Sequence, residues 1–157
     1  MKVNIKKHYE RSEPKYDYLK YWRVIRYFYQ QKYDLKQAEL EILLFLYSEM
    51  YFNKTKFKEY ENLFTWDRKR FNNLLDRGFI HMFRPKNNTE AALYEVTHKT
   101  RTMITTMYKK LNGEEIPEHP DNNPLFKKNV KYTDKVYKNM IKEMNKSIKQ
   151  QRYLSRE

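Results

Sequence analysis

Residues 65–80 read TWDRKRFNNLLDRGFI. Phe71, Leu74 and Leu75 recur at the spacing of one helix face, Thr65 is a residue type that caps helix N-termini, and Gly78 supplies a left-handed stop. Opposite that apolar face, a helical projection places Trp66, Lys69, Asn73 and Arg77. It puts Arg70 and Asn72 on the flanks and Arg68 nearer the core edge. Arg68, Lys69 and Arg70 crowd the first turns, where the helix macrodipole favours anions, so helix stability does not explain them. A polyanionic partner does.

Working outward, the layout on either side predicts where that helix sits. On the N-terminal side, 16–31 has helical periodicity through Leu19, Trp22, Ile25 and Phe28. Asp34 and Gln37 form a capping-box pattern that opens a second, strongly apolar helix through Ala38, Ile42, Leu43, Phe45 and Leu46. Thr55 is placed to cap a short third helix with Phe57 and Tyr60. On the C-terminal side, Phe79 to Arg84 and Ala92 to Val96 suit two strands, joined across a polar tip from Pro85 to Glu90. A fifth helix follows at 98–111 and ends at Asn112-Gly113. Helix, helix, short helix, turn, helix and hairpin is the layout of a winged helix-turn-helix, whose last helix before the hairpin enters the DNA major groove. Arg and Lys donate to guanine edges, and Asn pairs with the adenine edge. In the hairpin, Arg84 and Lys86 beside Asn87, Asn88 and Thr89 suit contact with backbone or minor groove.

The whole chain divides into a basic arm (1–15), a winged-helix domain with its first helix (16–113), an irregular Pro-containing linker (114–132) and a basic amphipathic helix (133–157). Thr133 or Asp134 is the expected cap of that last helix. Its apolar stripe is Val136, Met140, Ile141, Met144 and Ile148, and its lysines read most simply as solubilising or dimer-flanking, with contact to a DNA backbone the lesser alternative. The expected fold class is therefore mainly α with a small β-hairpin.

Composition agrees with a polyanionic partner. Thirty-three Lys and Arg against 20 Asp and Glu give a net charge of +13 across 157 residues, a surplus that predicts attraction to nucleic acid. The chain has no Cys, which excludes disulfides and thiolate metal sites and suits a reducing cytoplasm. Its longest apolar run, Ile42 to Tyr47, is far short of the roughly 20 residues that span a bilayer, so no membrane association is expected. The start of the chain lacks the apolar core of a secretory signal. Abundant Lys, Asn, Tyr and Ile suggest an AT-rich coding sequence, as in many phages. His8, His81, His98 and His119 show no metal-ligand spacing, and no nucleophile–base pair or phosphate-cradling loop is visible. Neither enzymatic activity nor a cofactor is expected.

From Leu35 to Leu111, through LKQAELEILLFLY, FNNLLDRGFIHMFRP and YEVTHKTRTMI, the chain resembles the MarR-type winged-helix regulators. The resemblance implies a transcriptional regulator that reads double-stranded DNA as a homodimer, with the first and last helices interleaved between copies. It places Arg68, Lys69, Asn72 and Asn73 at the groove-facing positions and Arg84 in the wing. Where that family carries an Asp-Arg pair at the wing, this chain has Asn88-Thr89-Glu90. The alternative expectation is an interaction module that docks on an acidic protein partner, with DNA contact incidental. The residues name no small-molecule effector.

Overall fold

The structure, a computed structural model, describes residues 17–61 and 68–156. The first helix, α1, runs over Tyr18–Tyr33, begun by Asp17, whose carboxylate accepts from the Lys20 amide at 3.2 Å. Its end corrects one expectation. Asp34 does not open the next helix; it closes α1 in the left-handed conformation at φ 51°, its N–H returning to the Gln30 carbonyl. Asp tolerates that region because its short polar side chain bonds locally. The second helix, α2 (Gln37–Tyr47), is begun from within, since the Glu39 side chain reaches back to accept from the Lys36 amide at 3.0 Å. The third, α3 (Lys54–Glu61), starts at Asn53, whose side chain accepts from the Lys56 amide at 2.9 Å. Asn53, not Thr55, is therefore the cap.

The quoted stretch gives α4, Arg68–Asp76. Its expected start at Thr65 lies outside the described residues. Gly78, at φ 78°, ends it as expected: Gly78 N–H bonds to Leu75 O and Phe79 N–H to Leu74 O, which satisfies carbonyls the helix leaves open. Strands β1 (Ile80–Arg84) and β2 (Leu93–Val96) then pair antiparallel, Ile80 opposite Val96, with an irregularity between Met82 and Arg84. Asn88 takes φ 43° at the tip. A third segment joins the sheet at one point, where Phe52 and Tyr94 exchange both backbone hydrogen bonds at 2.9 and 2.8 Å. Helix α5 (His98–Leu111) starts at Thr97, whose hydroxyl accepts from the Thr100 amide. The buried Thr100 hydroxyl donates to Phe79 O at 2.6 Å, tying α5 to the residue that leads into β1. The molecule is thus mainly helical with one small two-stranded antiparallel sheet.

Beyond α5 the chain departs from the expected linker. The segment 114–131 has only one short turn of 3-10 helix, Pro124–Phe126, yet Ile116, Asn123 and Leu125 are buried. The last helix, α6 (Tyr132–Leu154), packs on it. Asn145 of α6, also buried, serves both polar groups of one residue: its Oδ1 accepts from the Ile116 N–H at 2.9 Å and its Nδ2 donates to the Ile116 carbonyl at 2.8 Å. Asp134 does not cap α6 either; it is buried and accepts the hydroxyl of Tyr27 in α1.

Helices α1 and α6 bury their stripes on each other within one chain. Tyr27 and Tyr137 stack with ring centres 3.9 Å apart, and Tyr137 Oη accepts from Arg23 Nε. Val24, Ile25 and Phe28 share one core cluster with Ile141, Met144 and Ile148, and the same cluster reaches Phe71 and Ile80. Of the apolar positions expected on these two helices, Leu19 and Val136 remain exposed. Burial and the Asp134 contact push the Tyr27 phenol up to about 12, and burial pushes that of Tyr29 to about 12; both phenols therefore stay protonated and act as hydrogen-bond donors, to Asp134 and to Thr106.

Candidate nucleic-acid interface

Helix α4 is amphipathic in the manner the sequence predicts. Phe71 and Leu74 are buried, Leu75 is half-buried, and Arg68, Lys69, Asn72, Asn73 and Asp76 are exposed. The inward face is held by aromatic geometry: the Phe71 ring meets Phe57 edge-on at 4.8 Å and Tyr94 edge-on at 5.0 Å. Such pairs add to the stabilisation from area burial alone. Through Phe71 the hairpin, α3 and α4 share one joint, and the backbone of Tyr94 also holds Phe52.

The nine residues expected to meet DNA divide into distinct groups. Arg68 and Lys69 are exposed and carry no ion pair among the described residues, and Asn72 stands exposed beside them. Arg70 is half-buried. Trp66 lies outside the described residues. Asn73, though exposed, and the half-buried Arg77 each have a partner within the fold. The Asn73 side-chain amide donates to Glu39 Oε2 at 2.7 Å. Arg77 Nη2 donates to the carbonyls of Tyr33 and Asp34, both at 2.8 Å, and its Nη1 lies 3.8 Å from Glu39 Oε2. In the hairpin, Arg84 Nη1 lies 3.3 Å from Glu90 Oε2, which braces the tip from inside, while Lys86 is exposed with no ion pair among the described residues.

Glu39 is the residue that sequence reasoning missed. It is 3% exposed in the most apolar helix, and a buried carboxylate is costly unless its oxygens are engaged. Here Oε1 takes the Lys36 amide and Oε2 takes Asn73 and Arg77. One acid thus starts α2, fixes the rotation of α4 and meets the end of α1 through Arg77. A signal exists in the sequence: Glu39 lies three and four residues before Ile42 and Leu43, on their own face. A second acid, Glu95 of β2, bridges His81 (Nε2 to Oε1, 2.7 Å) and Arg101 of α5 (3.0 Å) across the outer side of the hairpin.

Arg68, Lys69 and Lys86 are thus exposed and make no ion pair among the described residues, on elements whose inner sides are locked. Rigid placement of donors is what base-edge recognition needs, whereas loosely held cations serve phosphate. Among the described residues no group of His, Asp or Glu is arranged to hold a metal ion, and no helix is long and apolar enough to cross a membrane. The chain matches no protein-family model, and no curated protein or solved structure shows significant similarity to it.

Proposed function

We propose that this chain is a winged helix-turn-helix protein that binds double-stranded DNA with sequence preference and acts as a transcriptional regulator, with α4 in the major groove and the hairpin as the wing. The observation that carries the reading is the division of α4: Phe71 and Leu74 buried, Arg68, Lys69 and Asn72 exposed. The three-way joint at Phe71 supports it, since it sets the hairpin beside α4 as a wing requires. The resemblance to MarR-type regulators points the same way. Arg68, Lys69 and Asn72 read base edges, Lys86 meets the backbone, and Asn73 and Arg77 hold the reading helix in position. If two copies bind together, Val24, Ile25, Phe28, Ile141, Met144 and Ile148 are already covered within each, while Leu19 and Val136 are exposed.

The test is selection of bound sequences from random duplexes, followed by Lys69→Ala. That variant is expected to lose about 1 to 3 kcal/mol on the selected site and much less on unrelated DNA. Equal loss on every duplex, or none, would mean that α4 does not read sequence. A second reading then gains, an interaction module for a protein partner. It is favoured by exposed apolar side chains beside the hairpin: Met50 at 78%, Phe83 at 52% and Tyr51, the last two with ring centres 4.3 Å apart.

A further inference from the structure

Sequence alone reads the lysines of α6 as a solvated face, but their arrangement in the structure says more. Lys135, Lys138, Lys142, Lys146, Lys149 and Arg152 follow one another at intervals of three or four residues without a break. At 100° per residue they form a single stripe, about 25 Å long at 1.5 Å per residue. A solubilising face ordinarily alternates sign so that neighbours at i,i+4 attract. This one repeats the same sign at every step, and each such pair repels. The five lysines make no ion pair among the described residues, while Arg152 lies 3.8 Å from Glu115. Of the two described acids of α6, Asp134 is buried on Tyr27, and Glu143, though exposed, makes no ion pair among the described residues. Lys127, Lys128 and Lys131, all exposed, extend the charge ahead of the helix.

Lys138 and Lys142 lie over the Phe126 ring and Arg152 reaches Gly113 O, but Lys135, Lys146 and Lys149 are exposed and not needed to hold α6, which is anchored through Ile141, Met144, Asn145 and Ile148. We infer that the α6 stripe is a second nucleic-acid contact, a straight cationic ridge that lies along the phosphate backbone of duplex DNA, separate from α4. Even spacing over a rigid length matches a polymer with regularly repeated charge, one negative charge per strand every 3.4 Å or so of duplex axis. An anionic membrane surface fits less well. Helices that lie on membranes insert their apolar side, and that of α6 is occupied by α1 and Ile116. The ridge contributes affinity and no sequence preference, since ammonium groups on phosphate carry no base information.

The experiment uses the full chain and short duplexes of two unrelated sequences, with dissociation constants measured between about 50 and 200 mM salt. It compares the wild type with the triple variant Lys135→Gln, Lys146→Gln, Lys149→Gln, with the same three positions changed to Arg, and with Arg68→Ala, Lys69→Ala. These three lysines are exposed and touch nothing the fold uses, and unchanged thermal melting confirms that each variant is folded. The Gln variant is expected to bind both duplexes about tenfold or more weakly. Its slope of log affinity against log salt should fall by about 0.9 for each phosphate it no longer neutralises, and the Arg variant should restore both. Equal affinity and slope in the Gln variant and wild type would overturn the ridge. So would a wild type that binds phosphatidylserine vesicles or polyglutamate in preference to duplex. Because the Arg68 and Lys69 changes report on α4 alone, the ridge can stand while the reading of α4 fails, and the reverse.

Discussion

At the level of single residues, the contrast between Lys69 and Asn73 is the most instructive. Both are exposed on α4 and lie opposite its apolar face in projection, yet Asn73 has its amide on a buried carboxylate. Asn73→Ala leaves Glu39 Oε2 short of a hydrogen bond in a place water reaches poorly, and such bonds to charged groups are worth about 1.5 to 3 kcal/mol. Chemical denaturation should register a loss of that order, with the preferred DNA sequence unchanged; a stable variant with altered preference would return Asn73 to the groove. Arg77→Ala should behave alike, since two carbonyls at the end of α1 lose a donor. Tyr29 gives a pH test. Its phenol is 2% exposed and raised from 10.0 to about 12 by burial. Below about pH 10 it is neutral in both folded and unfolded chains and costs nothing. Between 10 and 12 only the unfolded chain ionises, so stability falls as pH rises, by about 2 to 3 kcal/mol from this residue. Tyr29→Phe should flatten the fall in the urea midpoint across that window; an unchanged profile would place the titration elsewhere.

Individual elements show what a linear pattern can and cannot disclose. The fifth helix has the expected bounds, and the hairpin and α4 follow from periodicity and from Gly78, because each is decided by neighbours a few residues apart. Helix starts are harder to read. Asp34, Thr55 and Asp134 are all suitable capping types, but each has a competitor nearby or a distant partner: Asp34 takes the left-handed stop, Asn53 precedes Thr55, and Asp134 turns inward to Tyr27. The commitment of Asn73 and Arg77 is hidden for the same reason, since Glu39 lies 34 residues before Asn73. The segment after α5 departs furthest from its pattern. Its prolines and polar residues suggest a tether, and only the burial of Ile116 and Leu125, with Asn145 bonded to Ile116 from 29 residues on, reveals a packed strap. A prediction follows. Asn145→Leu keeps side-chain size close but strands the Ile116 N–H and carbonyl, and each unsatisfied buried group costs about 1 to 3 kcal/mol. Differential scanning calorimetry should show a much lower melting temperature than for Lys146→Gln one position on; equal melting would mean that the strap is dispensable.

For the molecule as a whole, α1 packs on α6 within one chain, and the core cluster they share is built from that chain's own residues. The urea midpoint should therefore not move when chain concentration is raised a hundredfold, from about 1 to 100 μM, a range that brackets micromolar association. A midpoint that climbs with concentration would show that a second copy completes the core. Two charged surfaces then sit on different parts of this single body, one on α4 and one along α6, and they differ in how each is aimed. The orientation of α4 is set at the carboxylate of Glu39. A row of nearly identical lysines has no such individual anchor, and a slide of α6 by one turn would bring a like charge to each vacated place. Asn145 removes that freedom. By gripping both polar groups of Ile116 it acts as an indexing pin, so α6 can occupy only one notch along its bed. The ridge is consequently phased to the rest of the molecule by a side chain that carries no charge at all.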